Sequence, residues 1–90
     1  MVCKRITVIG KVQGVYFRAS AQEKAIALGL VGEVRNLADG NVELIACGSS
    51  DGVQQLMDWC HQGPPHAKVE QVLVEDIDVR GFDGFRITRR

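Results

Sequence analysis

Apolar and polar positions recur with two different periods along the chain, and the switches between them mark out the elements. Arg5-Ile6-Thr7-Val8-Ile9 alternates through β-branched residues and stops at Gly10, which predicts a first strand. From Phe17 the apolar positions fall at Phe17, Ala21, Ala25 and Leu28, at helical spacing, and Gly29 is suited to ending that helix. Val31 to Asn36 and Asn41 to Cys47 return to strand character. Between them, Leu37-Ala38-Asp39-Gly40 carries the Asp-Gly pair of a hairpin turn, so the two strands are expected to be antiparallel neighbours. Gly48-Ser49-Ser50-Asp51 then offers N-cap oxygens ahead of Val53, Leu56, Met57 and Cys60, one face of a second amphipathic helix that ends near Gly63-Pro64-Pro65. Val69 to Val79 predicts a further strand, and Phe85-Arg86-Ile87-Thr88 a short closing one after Phe82-Asp83-Gly84.

The order β-α-β-β-α-β with a small fifth strand predicts an α+β, ferredoxin-like split βαβ sandwich: one antiparallel sheet with both helices on one face. That arrangement puts the first and third strands side by side in the centre, which brings Cys3 near Cys47. The expectation is that both are packed, reduced thiols, with a disulfide as the lesser alternative. This fold hosts many unrelated functions, so the site has to decide what the chain does.

Composition narrows the choice. The chain has 90 residues, which suits a single domain over 1–90, with 46% hydrophobic and 24% charged residues as in ordinary globular proteins. Eleven basic residues balance eleven acidic ones, leaving no global field to hold a nucleic acid or an anionic membrane; any anion must be held locally. Cys3, Cys47 and Cys60, together with His61 and His66, form no zinc-ligand spacing, so neither a metal nor another cofactor is expected. Met1 to Arg5 leads straight into the first strand without the apolar core of a leader, and no run approaches the roughly 18 apolar residues of a membrane span. A cytoplasmic address is expected. The third predicted strand has no aromatic residue on which to stack RNA bases, and the first strand-to-helix loop lacks the CxxC of a metal chaperone.

What that loop offers is Lys11-Val12-Gln13-Gly14-Val15-Tyr16-Phe17, bracketed by Gly10 and Gly14 and leading into a helix whose first turn carries Arg18. Glycines let successive N–H groups converge, and a helix N-terminus adds free donors and partial positive charge. Arg18 would add a planar fork of donors for two phosphate oxygens. Composition alone equally fits an ordinary β-α connection with a solvated arginine. Asn36 by itself reads as a strand-end residue, Asp39-Gly40 as hairpin geometry, His61 and His66 as surface residues, and Phe17 as core heading the apolar stripe.

Two longer stretches tip the balance. Gly10-Lys11-Val12-Gln13-Gly14-Val15-Tyr16-Phe17-Arg18 resembles the acylphosphatase signature G-x-V-Q-G-V-x-F-R at every fixed position. Gly32-Glu33-Val34-Arg35-Asn36-Leu37-Ala38-Asp39-Gly40-Asn41-Val42-Glu43 is similar to that family's second motif, G-x-V-x-N-x-x-D-G-x-V-E, and Gly63-Pro64-Pro65 and Phe85-x-Ile87 fall where the family has like features. The resemblance implies hydrolysis of acyl phosphates to a carboxylate and inorganic phosphate, by metal-free attack of water on phosphorus and without a phospho-enzyme. It implies that the loop from Gln13 through Gly14, Val15 and Tyr16 to Phe17, with Arg18, binds the phosphoryl group. Asn36 positions the water, and Tyr16, at a variable motif position, is placed to line the substrate mouth. Thr88-Arg89-Arg90 departs from the pattern, with two cations where a terminal carboxylate would otherwise approach the phosphate-binding arginine. The expected protein is a monomer acting on small acyl phosphates. The alternatives are a non-catalytic phosphate-sensing or partner-binding module with the same loop, and a domain specialised for one substrate such as carbamoyl phosphate.

Overall fold

A computed structural model describes residues 1–89. The chain runs β1 (Val2–Lys11), α1 (Phe17–Ala27), β2 (Val31–Asn36), β3 (Val42–Gly48), α2 (Ser50–Cys60), β4 (Lys68–Ile77) and β5 (Phe85–Ile87). The sheet order is β4-β1-β3-β2-β5, with β1 and β3 antiparallel at its centre, as the sequence predicts. The first strand is longer than its alternating core because Cys3 and Lys4 continue the ladder to β3 on one side, while Gly10 and Lys11 continue it to β4 on the other. Gly10 is therefore not a hinge of the loop. It lies at a register shift in the β1–β4 ladder with φ of 141°, where an added Cβ would run into the Lys68 carbonyl oxygen.

One periodicity builds each face of the sheet. Ile6 and Val8 of β1, Val34 of β2 and Val42, Leu44 and Ala46 of β3 point to the helices, where they bury Phe17, Ala21, Ala25, Val53, Leu56 and Cys60 in one cluster. The ring of Phe17, the first residue of α1, meets Trp59 near the end of α2 at a centroid distance of 5.3 Å, which pins the start of α1. Lys4, on the helix side with Ile6 and Val8, pairs with Asp76, while the opposite face carries ion pairs across neighbouring strands, Arg5 with Glu75 at 2.5 Å and Arg35 with Glu43 at 3.1 Å. It also carries a small second core of Cys3, Ile45 and Cys47, against which Phe82 packs as the chain passes from β4 at one edge to β5 at the other.

Two expectations change. The closing strand β5 lies parallel to β2, Phe85 opposite Gly32 and Ile87 opposite Val34, so the antiparallel pattern of the four longer strands ends at that edge. Cys3 and Cys47, expected as reduced thiols, are joined as a disulfide. The β1–β3 register sets them directly opposite each other with Cα atoms 4.1 Å apart, which brings the sulfurs together. Among the described residues no helix is long and apolar enough to cross a membrane.

Candidate active site

After Lys11 the chain leaves the sheet, buries Val12, and turns through Gly14 at φ 75° and Tyr16 at φ 63° before α1 begins. Tyr16 is the one non-glycine residue with positive φ among the described residues, a conformation L-residues avoid. Val15 and Phe17 anchor the loop in the core on either side of it, leaving the Tyr16 ring 82% exposed.

This turn leaves α1 without a cap. No side chain accepts from its first turn, and no acidic residue stands there. The first backbone bond of the helix is Ser20 N–H to Tyr16 O at 3.1 Å. Among the described residues, no backbone N–H from Gln13 to Ala19 donates to another group. Such free donors, with the positive end of the helix dipole behind them, make a seat for an anion.

A concave cleft of about 430 Å³ opens over this turn, lined by Val12, Gly14, Tyr16, Phe17, Arg18, Ala19, Asn36, Ile87 and Arg89. A shallower continuation is shared by Arg18, Asn36, Thr88 and Arg89. The tertiary structure thus brings Arg18, from the first turn of α1, and Asn36, the last residue of β2, to one cleft. Neither guanidinium in it, Arg18 or Arg89, makes an ion pair or hydrogen bond among the described residues, whereas Arg5, Arg35 and Arg86 are each held by a carboxylate. Among the described residues no carboxylate lines the cleft. Arg90 lies outside the described residues.

Gln13 does more than contribute an amide. Its Nε2 donates to the carbonyls of Leu37 at 2.8 Å and Asn41 at 2.9 Å, clamping the loop to the β2–β3 turn one residue beyond Asn36. That turn is shaped as expected, with Asp39 Oδ1 accepting from the Asn41 N–H at 3.1 Å and Gly40 at φ 95°. The other edge of the cleft is held by Gln22 of α1, whose Nε2 donates to Phe85 O at 2.9 Å, and by Thr88 N–H donating to Val34 O at 2.9 Å. Asn36 Oδ1 and Thr88 Oγ1 are both buried without a hydrogen-bond partner. With Oδ1 turned inward, the NH₂ end of the Asn36 carboxamide is the end left to meet a ligand.

Comparison with known proteins shows the family and the fold. The Acylphosphatase family model matches residues 4–87. The chain belongs to the acylphosphatase family. It is 54% identical over 74 residues to an acylphosphatase of Halorhodospira halophila, covering 82% of this chain and 80% of that one. Among solved structures, an acylphosphatase from Coxiella burnetii is 47% identical with a TM-score of 0.94, covering 97% of this chain and 92% of that chain. An acylphosphatase from Bacillus subtilis is 36% identical with a TM-score of 0.96, covering 99% and 100%. The ferredoxin-like α+β reading and the hydrolase reading stand on these relatives. The family's activity is hydrolysis of acyl phosphates.

In this chain the residues read from the motifs, Gln13, Gly14, Val15, Tyr16, Phe17, Arg18 and Asn36, lie on the uncapped turn or at the cleft beside it. Val15 and Phe17 turn their side chains to the core, so only their amides can serve a ligand. Reading the sequence missed Ala19, Thr88 and the clamp made by the Gln13 side chain. Thr88 reaches the cleft through the pairing of β5 with β2, and the Gln13 clamp depends on the β2–β3 turn lying beside the loop, so neither has a local signal, while Ala19 simply follows Arg18 in the first turn of α1. Cys60, the free thiol, is buried away from the cleft, and its burial pushes the pKa up to about 12. It is a core residue, not a nucleophile.

Proposed function

We propose that this chain hydrolyses acyl phosphates by direct in-line attack of water on phosphorus, without a metal and without a phospho-enzyme. The phosphoryl oxygens sit on the free amides between Gln13 and Phe17, and the Arg18 guanidinium supplies the full positive charge that the amides lack. Asn36 holds the water through its carboxamide. The water oxygen forms a bond to phosphorus as the bond from phosphorus to the acyl oxygen breaks, and that electron pair leaves as the carboxylate. The proton shed by the water passes to a phosphoryl oxygen of the substrate. An acyl phosphate carries a good leaving group, so positioning and charge stabilisation suffice, and no side chain has to act as a strong acid or base.

The observation that carries this reading is the uncapped first turn of α1, with its unpaired Arg18, facing Asn36 across one cleft. A phosphate-sensing module would use the same cradle, but it would have no use for a water-holding amide beside the bound phosphorus. We read the protein further as a monomer acting in the cytoplasm on small molecules. In that compartment the buried Cys3–Cys47 bond is protected from reductants by its lack of solvent access, both residues being at most 3% exposed.

The test is release of carboxylate from benzoyl phosphate and acetyl phosphate in the presence of a chelator, with Asn36→Ala alongside. Hydrolysis that survives chelation in the wild type and falls by on the order of 10² to 10³ in the folded variant is expected. Phosphate binding without turnover would hand the site to the sensing module. Loss of turnover on chelation would overturn the metal-free mechanism.

A further inference from the structure

The two halves of the site come from separate stretches of the chain. The free amides and Arg18 belong to the loop after β1 and the first turn of α1, while Asn36 is the last residue of β2, paired with Val42 where the β2–β3 ladder ends. The Asn36 carboxamide makes no side-chain hydrogen bond among the described residues, and its Oδ1 is buried without a partner. Where it stands is therefore set by its main chain, which runs directly into the turn at Leu37.

Gln13 holds that turn. Its Nε2 donates to Leu37 O at 2.8 Å and to Asn41 O at 2.9 Å, reaching 24 and 28 positions along the chain. Both acceptors are carbonyl oxygens, so the end of the carboxamide facing them is the NH₂, and both of its hydrogens are committed. The Gln13 side chain thus has no donor left for a phosphoryl oxygen; only its main-chain N–H does. The same two carbonyls also close the turn, Leu37 O accepting from Gly40 N–H at 3.2 Å and Asn41 O from Leu37 N–H at 2.8 Å. Removing the Gln13 amide group leaves neither carbonyl orphaned and the turn still closed on itself. What is lost is the tie between the turn and the loop. The loop keeps anchors of its own, in buried Val12 and in the Phe17 ring packed against Trp59.

Resting on the hydrolase reading above, we propose that the Gln13 side chain is a positioning residue for the water-holding step: by fixing the β2–β3 turn against the phosphate loop, it sets where Asn36 stands relative to the bound phosphorus. The side chain contributes nothing to holding the phosphate itself. The amides and Arg18 lie on one continuous segment and keep their mutual geometry without it, whereas in-line attack tolerates little displacement of the water.

The experiment is a double-mutant cycle. Gln13→Met, Asn36→Ala and the double variant are compared with the wild type in kcat for benzoyl phosphate and in Kd for inorganic phosphate by calorimetry, with folding checked by thermal scan. Gln13→Met keeps the length of the side chain and removes both donors. Its kcat should fall roughly tenfold, within the hundredfold that a misplacement of about 1 Å can cost, while the phosphate Kd stays within about twofold of the wild type. In the Asn36→Ala background the same substitution should change kcat by less than about twofold, because the group it positions is gone. Unchanged kcat in Gln13→Met would overturn the inference. So would a phosphate Kd that rises in step with the loss of kcat, which would make the clamp part of the cradle, or a loss of the same size in the absence of Asn36. Should Gln13→Met not fold, the isosteric Gln13→Glu decides: its neutral acid retains one donor and its carboxylate none, so its kcat relative to the wild type should climb as pH is lowered, and a flat ratio would count against the clamp. Turnover that Asn36→Ala leaves intact, or no turnover in the wild type, would instead sink the water-holding reading, and the inference with it.

Discussion

The two helices of this molecule begin in opposite ways. At α2, Ser49 adopts an extended conformation and its Oγ accepts from the Gly52 N–H at 3.0 Å, with Asp51 adding negative charge in the first turn. Those donors and the dipole are satisfied from within the chain, as in most helices. At α1, Tyr16 enters from the left-handed region, no side chain caps the turn, and the nearest charge is the positive one of Arg18. The same orphan N–H groups exist at both ends; one set is used for stability and the other is left for a ligand. The difference teaches that a missing cap, where the surrounding packing forces the conformation, is a functional feature and not a flaw.

That contrast can be broken from either side. Arg18→Ala should have the largest effect, a fall in kcat/KM on the order of 10² to 10³ with the melting temperature little changed, read by steady-state kinetics on acetyl phosphate beside a thermal scan. Ala19→Glu makes the first turn of α1 resemble that of α2 by supplying the acid it lacks. It should raise the apparent Kd for inorganic phosphate roughly tenfold, because a carboxylate then competes for the dipole and repels the anion; an unchanged Kd by calorimetry would deny the turn its role. Thr88→Val removes the buried hydroxyl beside the cleft. Because that hydroxyl bonds to nothing, the Asn36 carboxamide included, kcat should change by less than about twofold and the melting temperature should hold or rise slightly, read by the same kinetics and thermal scan. Ser49→Ala is the smallest for catalysis: about 1 kcal/mol of stability lost in a denaturant titration, and no change in kcat.

Much of this was legible in the residues. Phe17, Ala21 and Ala25 are buried where the helical spacing puts them, and Val53, Leu56 and Cys60 likewise. Ser49 caps α2 as its position before the apolar stripe suggested. The glycine bracket was half right. Gly14 does bend the loop, but Gly10 serves the β1–β4 ladder, because a register shift between non-adjacent strands leaves no mark in the local pattern. The charged positions of β1 and β4, similar to any solvated strand, became specific pairs only when β1 met β4 across the sheet.

The sequence by itself determined the elements, their order and the two motifs that name the family, because periodicity, turn chemistry and short contiguous signatures are properties of neighbours in the chain. Tertiary structure decided everything that depends on residues far apart. The β1–β3 register joined Cys3 to Cys47, the parallel pairing of β5 carried Thr88 and Arg89 to the cleft, and the Gln13 clamp fixed the cradle relative to Asn36. The physical reason is that a strand can pair with several partners at comparable local energy, and the choice among them rests on which arrangement buries both faces of the sheet at once.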